Sequence, residues 1–380
     1  MTEANGRELP GLDTFPGLLL TLTALSGELP TAEVYRLPAT AAYKEYAVKQ
    51  LKRDNLLRTF YRNGVRGLRL TAAAKRLLRA SWPDLFMPYL SGSIETNQLK
   101  SEVTRRLRLH RMAEVMVTML NANVSTLPWE KPVLFGSVPP DDMQVIERPA
   151  YYNSREIKEL GALAVKIRGS RSTGVLLTDS DIFVVYNTGS GQIKWEHKAE
   201  IRLKALLEME LCQSRLPVQF MNATKAAVVF AADMSQMAPM MGVGEDKRHN
   251  YFVLDGNFEH FYYLTNDHHG EIILQLLCYP DEAAVLDGVL SQDLAPPRLN
   301  WIMENDAMEG DDPALFAYTC DMPRIRRFDT ALANSGLTGT LYCFDFQMDA
   351  MRQICGPCVR IKSIDFDAYE RSVFLSPESS

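Results

Sequence analysis

Between Asp179 and Glu200 the chain reads "DSDIFVVYNTGSGQIKWEHKAE". This is an apolar hairpin with a carboxylate near each end, Asp181 and Glu196, and a lysine, Lys198, two residues after the second. Two carboxylates can hold a hard divalent cation, Mg2+ or Mn2+, through oxygen. The cation polarises a phosphate and its water, and a lysine steadies the charge that develops. Read as a strand, "QIKWEHK" puts residues 196 and 198 on one face, as shared ligation requires. The same residues also suit a purely structural hairpin. Asp179 competes with Asp181, and Lys198 can equally open the next helix.

The surrounding elements set the choice. "SREIKELGALA" reads as a short helix with Ser154 as its N-cap. "TGVLLT" and "DIFVVYNT" read as strands, "QIKWEHK" as a third, "AEIRLKALLEMEL" as an amphipathic helix and "AAVVFAADM" as another strand. That order, with acidic residues at these points, resembles the PD-(D/E)XK nuclease superfamily. The resemblance implies that Asp181 is the first carboxylate and that Glu196 and Lys198 form the Glu-x-Lys. Glu156 or Glu159 would be the acidic residue of the leading helix, and Asp181 and Glu196 would hold the metal. Ser180 stands where the superfamily has a proline.

The first third carries a different signal. The chain of 380 residues has a net charge of −6, yet residues 44–111 hold sixteen Lys and Arg against five acidic residues, a local +11. Such asymmetry points to nucleic acid or an anionic surface. Leu18, Leu19, Leu22 and Leu25 stripe a helix that stops at Gly27, and "TAEVYRLP" makes a short second helix. A third helix, "TAAYKEYAVKQLKRDNLL", turns Tyr43, Tyr46, Ala47, Val48 and Leu51 inward and leaves Lys44, Lys49, Lys52 and Arg53 outside. "LRTFYRNGVRGLRLT" is a hairpin by its turn residues, with Arg62, Arg66 and Arg69 along it, and "AAAKRLLRA" closes the unit. Three short helices and a basic hairpin predict an N-terminal winged helix-turn-helix that binds double-stranded DNA. A helix fits the major groove, and the hairpin lies on phosphates or in the minor groove. A long helix over "TNQLKSEVTRRLRLHRMAEVMVTMLNANV" uses Leu99, Val103, Leu107, Met112, Val115 and Met119 as its apolar side. Arg105, Arg106 and Arg108 extend the basic surface, and His110 reads as a surface or DNA-facing residue.

Taken together, the basic winged unit, the "RRLRLHR" helix and "GVLLTDSDIFVVYNTG…KWE" resemble the replication-relaxation proteins of plasmids and integrative elements, near the MobC-type relaxases. The likeness covers roughly residues 14 to 290. It implies DNA binding at an origin as relaxase or relaxosome component, with other transfer proteins as partners and metal-dependent nicking in some members. Tyr186, in the shared "VYN", would be the candidate nucleophile, although an alternating strand packs such a residue. The competing class is a non-enzymatic winged-helix regulator whose α/β part mediates assembly or senses a ligand.

Residues 314–368 alternate strand and helix and predict a C-terminal βαβαβ unit, so the fold class is α+β with α/β character. The domains expected are 1–90 winged helix, 91–150 basic helix and proline-rich connection, 151–300 nuclease-like, and 301–380 extension. His268 and His269 fall in a turn between expected strands, and Asp233 and Asp321 each end a strand. "CGPC" at Cys355–Cys358 closes a helix instead of opening one, the wrong dipole end for thiol activation. Cys320 and Cys343 lack paired zinc spacing. No apolar run reaches the roughly eighteen residues of a membrane span. The polar start, without a signal sequence, and the six cysteines predict a protein of the reducing cytoplasm.

Overall fold

The computed structural model describes residues 8–91, 102–138, 140–220, 226–242, 251–298, 301 and 303–374. The chain is a mixed α and β protein in two compact units, residues 1–187 with 198–224, and residues 188–197 with 225–380. The stretch read as a nuclease-like domain, 151–300, is therefore divided between them. Among the described residues no helix is long and apolar enough to cross a membrane.

The first unit opens with α1 (Phe15–Ser26). Thr14 caps it by accepting the Gly17 amide at 3.2 Å, and Gly27 ends it at φ 83°, a left-handed conformation that L side chains rarely adopt. β1 (Leu29–Pro30), α2 (Glu33–Arg36) and α3 (Ala41–Arg53) follow. β2 (Leu57–Arg62) and β3 (Val65–Leu70) pair antiparallel, and β1 joins β3 to give the order β1-β3-β2. Asn63 and Gly64, at φ 51° and 79°, fill the two-residue turn, as a type I′ hairpin demands. α4 (Ala72–Ser81), capped by Thr71, and α5 (Pro83–Leu90) come next.

α6 (Val103–Asn121) packs on α1, β1, β3 and β5 and buries Met112, Ala113, Val115, Met116, Val117 and Met119 almost completely. Leu107 is exposed instead, and Leu99 lies outside the described residues. β4 (Ala150–Asn153), β5 (Ser172–Leu177) and β6 (Ile182–Gly189) run antiparallel in that order. α7 (Ser154–Ile157) is capped by Asn153, not Ser154. The Asn153 side chain accepts the Arg155 and Glu156 amides while the Glu156 carboxylate takes the Asn153 amide.

The third strand expected from "QIKWEHK" does not form. Residues 190–196 are irregular, with one isolated bridge from Lys194 to Tyr251, and α8 (His197–Leu207) takes Lys198 into its first turn. Side-chain docking replaces the ladder here. Trp195 packs on Phe252 with ring centroids 4.5 Å apart, and the Ile193 carbonyl accepts the Phe252 amide.

In the second unit β7 (Ala226–Ala231) precedes the single turn α9 (Met237–Met240), and β8 (His260–Thr265) runs parallel to β7. The apolar run after β8 is not a strand but α10 (His268–Cys278), because the Asp267 side chain accepts the Gly270 amide and starts a helix. α11 (Pro280–Leu290) follows. β9 (Ala307–Glu309) lies antiparallel to β10 (Asp312–Phe316). The alternation read from 314 to 368 is present as β10, α12 (Met322–Ser335), β11 (Gly339–Phe344), α13 (Met348–Ile354) and β12 (Val359–Ile364), with the three strands parallel. α14 (Phe366–Phe374) ends the described chain.

Candidate nucleic-acid interface

On α3, Lys44, Ala47 and Leu51 turn inward at helical spacing. Ala42, Tyr46, Lys49 and Arg53 therefore share the opposite, exposed face. Tyr43 and Tyr46 are not core residues as expected. They are 44% and 61% exposed, stacked with centroids 6.5 Å apart, and Tyr43 leans on Phe15. Ala47, Leu51 and the stem of Lys44 meet the apolar need of the helix. Lys44 itself is buried and donates to the Tyr35 carbonyl at 2.8 Å, so it leaves the candidate DNA face. Lys49 pairs with Glu45 at 3.8 Å, both well exposed, which restrains it little.

The hairpin supplies the neighbouring cations. Arg58, Arg62 and Arg66 are exposed, and Tyr61 is 68% exposed beside the turn. Burial, and then the charge of Arg66, hold the Lys52 ammonium below its usual pKa, so the end of α3 and the hairpin share one positive field. On α6, Arg105 and Arg108 are exposed, and Arg105 pairs with Glu102 at 3.0 Å.

Arg69, Arg106 and His110 are corrections to the surface reading, because all three turn inward onto Glu28. Glu28 and Arg106 are 0% exposed. Arg69 Nε donates to Glu28 Oε2 at 2.8 Å, Arg106 Nε donates to it at 3.1 Å, and His110 Nε2 lies 2.9 Å from Oε1. Arg106 also donates to the hairpin carbonyls of Arg62 (3.1 Å), Phe60 (3.2 Å) and Val65 (3.1 Å). Both guanidiniums lie on the Phe60 ring, at 3.8 and 4.6 Å from its centroid. Burial pushes the Glu28 carboxyl up, but the bonds from His110, Arg106 and Arg69 and the Arg69 charge outweigh it and hold it at about 2. Glu28 carries no sequence signal; a lone acid between a helix and a two-residue strand looks like a surface residue.

The carboxylates at the β5–β6 hairpin lie apart in the chain's path. Asp181 is exposed at the turn, its amide on Thr178 Oγ1 at 3.0 Å and its carboxylate accepting the Ser180 hydroxyl at 2.9 Å. β6 then carries the chain through roughly 26 Å of extended backbone before the loop that holds Glu196. Glu196 and Lys198 are both exposed, one in that loop and one in α8, so no strand face presents them together. Glu156 is tied to Lys131 at 3.0 Å and to the Asn153 amide. Glu159 is half-buried, and burial pushes its carboxyl up. Among the described residues no three His, Cys, Asp or Glu side chains group to hold a metal ion. The expectation that one strand presents Glu196 and Lys198 side by side to a cation is thereby corrected.

Tyr186 is wholly buried and donates to Glu200 at 2.9 Å. Glu200 also accepts the Ser170 hydroxyl at 2.9 Å and the Arg171 amide at 2.7 Å, while burial pushes its carboxyl up. In the second unit His268 sits against Glu370 at the start of α10, and His269 stacks on Phe346 at 4.1 Å. Asp233 is exposed and caps its own turn, whereas buried Asp321 accepts from His260 Nδ1 at 2.7 Å. Burial, with Asp329 and Cys343 nearby, pushes the Cys355 thiol up to about 12. Compared with protein-family models, curated proteins and solved structures, the chain matches none.

Proposed function

We propose that the first unit is a winged helix-turn-helix that binds double-stranded DNA, with α3 as the recognition helix and the β2–β3 hairpin as the wing. One observation carries this reading: Tyr46, Lys49 and Arg53 form an exposed stripe on α3, and the Arg66 side of the hairpin shares the field of Lys52. Exposed cations side by side are costly in an isolated protein and gain energy when phosphate displaces their counterions. The aromatic ring in the stripe adds an apolar surface suited to base edges and thymine methyls. Lys49 and Arg53 supply phosphate or guanine contacts.

The organisation that resembles replication-relaxation proteins supports an origin of a mobile element as the setting, within an assembly of transfer proteins. The geometry favours a DNA-binding component over the nicking enzyme, because Asp181, Glu196 and Lys198 share no strand face. The test is a fluorescence titration of the full chain with a duplex over a range of KCl. Binding that falls steeply with salt supports the reading. A folded chain that binds no duplex at low salt ends it.

A further inference from the structure

We infer that Glu28 and Arg106 are positioning residues for DNA binding, holding the β2–β3 hairpin as a rigid wing while touching no DNA themselves. The inference rests on the DNA-binding reading above.

Among the described residues the hairpin lacks a third strand near its turn. β1 pairs with β3 only at Leu29↔Leu68 and Pro30↔Gly67. Residues 61–66 therefore lie beyond the third strand and have only the β2–β3 ladder between them. A two-stranded ribbon on its own is marginal in water. Arg106 reaches this part: its guanidinium donates to the carbonyls of Phe60, Arg62 and Val65, which bracket the Asn63-Gly64 turn. Glu28 in turn fixes that guanidinium, with Arg69 on its other side and Phe60 packed against both arginines. The planar five-donor fork of arginine can serve a carboxylate and several carbonyls at once; a lysine cannot.

A buried ion cluster is weak evidence for a stability role by itself. Replacing buried ion pairs by apolar side chains is often neutral or stabilising, so a buried group of four polar side chains is better explained by the geometry it enforces. Here the geometry is the outward pose of Arg62 and Arg66. A wing already ordered loses less entropy when it meets the duplex.

The conservative Arg106→Lys substitution in the full chain is the first probe. The slope of log K against log [KCl] should fall by about 2, near 0.9 for each of the two wing arginines. The drop should match that of the Arg62→Ala/Arg66→Ala variant, and adding Arg106→Lys to that variant should change nothing further. Amide exchange without DNA should quicken in residues 60–66 and stay the same in 41–53. Glu28→Asp, which keeps every charge and shortens the reach by one methylene, should shift both measurements the same way. Wild-type slope and wild-type exchange in both folded variants would overturn the inference, and so would losses that add in full to those of Arg62→Ala/Arg66→Ala. A wild-type chain that binds no duplex would instead sink the DNA reading. The exchange measurement then still decides whether Glu28 and Arg106 hold the hairpin.

Discussion

The guanidinium of Arg106, wholly buried, donates at 3.1 Å to the carbonyl oxygen of Arg62, whose own side chain is exposed. Two residues of one charge thus have opposite roles. One is met by Glu28 and donates to backbone carbonyls inside the protein, and the other presents its charge outside. A count of basic residues cannot tell them apart, so the +11 of residues 44–111 overstates the positive charge available to a polyanion.

The first prediction separates the two groups. Charge reversal of Lys49, Lys52 and Arg53 to Glu should remove most duplex binding while leaving the urea midpoint nearly unchanged, since exposed substitutions usually move stability by less than about 0.5 kcal/mol. Binding that survives the triple reversal at low salt would show that α3 is not the contact.

The second concerns acid. Glu28 is held at about 2, below the ordinary 4.5 of a glutamate, so the unfolded chain takes up its proton first and stability rises with pH between those values. The contribution is complete above about 4.5 and is lost as pH falls through about 2. Its size is about 3 kcal/mol at neutral pH. Glu28→Gln should be less stable at pH 7, because two guanidiniums stay buried without their anion. Its unfolding curve between pH 2 and 4.5 should also be flatter than that of the wild type. Parallel acid limbs in urea titrations would show that another carboxylate is responsible.

How much of this was legible depends on whether the signal is local. The hairpin was readable because Asn63-Gly64 is a turn signature, and the 314–368 alternation because strand and helix periods alternate cleanly. In α6 the three arginines read alike as one basic surface, yet Arg106 and His110, four apart, face Glu28 while Arg105 and Arg108 face outward. What the sequence lacked was the partner. Glu28 is 78 residues from Arg106, and no periodicity links them. Tyr43 and Tyr46 stay outside because Ala47, Leu51 and the stem of Lys44 already supply the buried side of α3. "QIKWEHK" looked like a strand by composition, yet Trp195 docks on Phe252 and His197 already begins a helix.

A third prediction uses Gly67. A Cβ built there meets the Glu28 carboxylate far inside contact distance. Gly67→Ala must push Glu28 away from its guanidinium partners and should cost about 1–3 kcal/mol by urea unfolding. Weaker duplex binding should accompany it if the wing shifts. An unchanged midpoint would mean that the Glu28 side chain yields freely.

The "CGPC" thiols give a fourth. Cys355 ends α13, and burial pushes its thiol up to about 12, so little thiolate exists at neutral pH. Cys355→Ser with Cys358→Ser should leave duplex affinity within twofold, and Cys355 should react slowly with a thiol reagent at pH 7. Rapid labelling at that residue would contradict the assignment.

The last prediction returns to the β5–β6 hairpin. Metal-dependent nicking needs carboxylates that converge on one cation, because a carboxylate pair without the cation's charge cannot polarise phosphate. Asp181 instead accepts a hydroxyl from its own neighbour at an exposed turn, and Glu196 and Lys198 belong to different elements. Asp181→Ala, Glu196→Ala and Lys198→Ala should each leave stability within about 0.5 kcal/mol of the wild type, as exposed substitutions do. None should alter duplex binding. A supercoiled plasmid shown by mobility shift to be bound should stay supercoiled with Mn2+ for the wild type and all three variants. Conversion to open circles by the wild type, lost in the Asp181 and Glu196 variants and dependent on Mn2+, would falsify the binding-only reading.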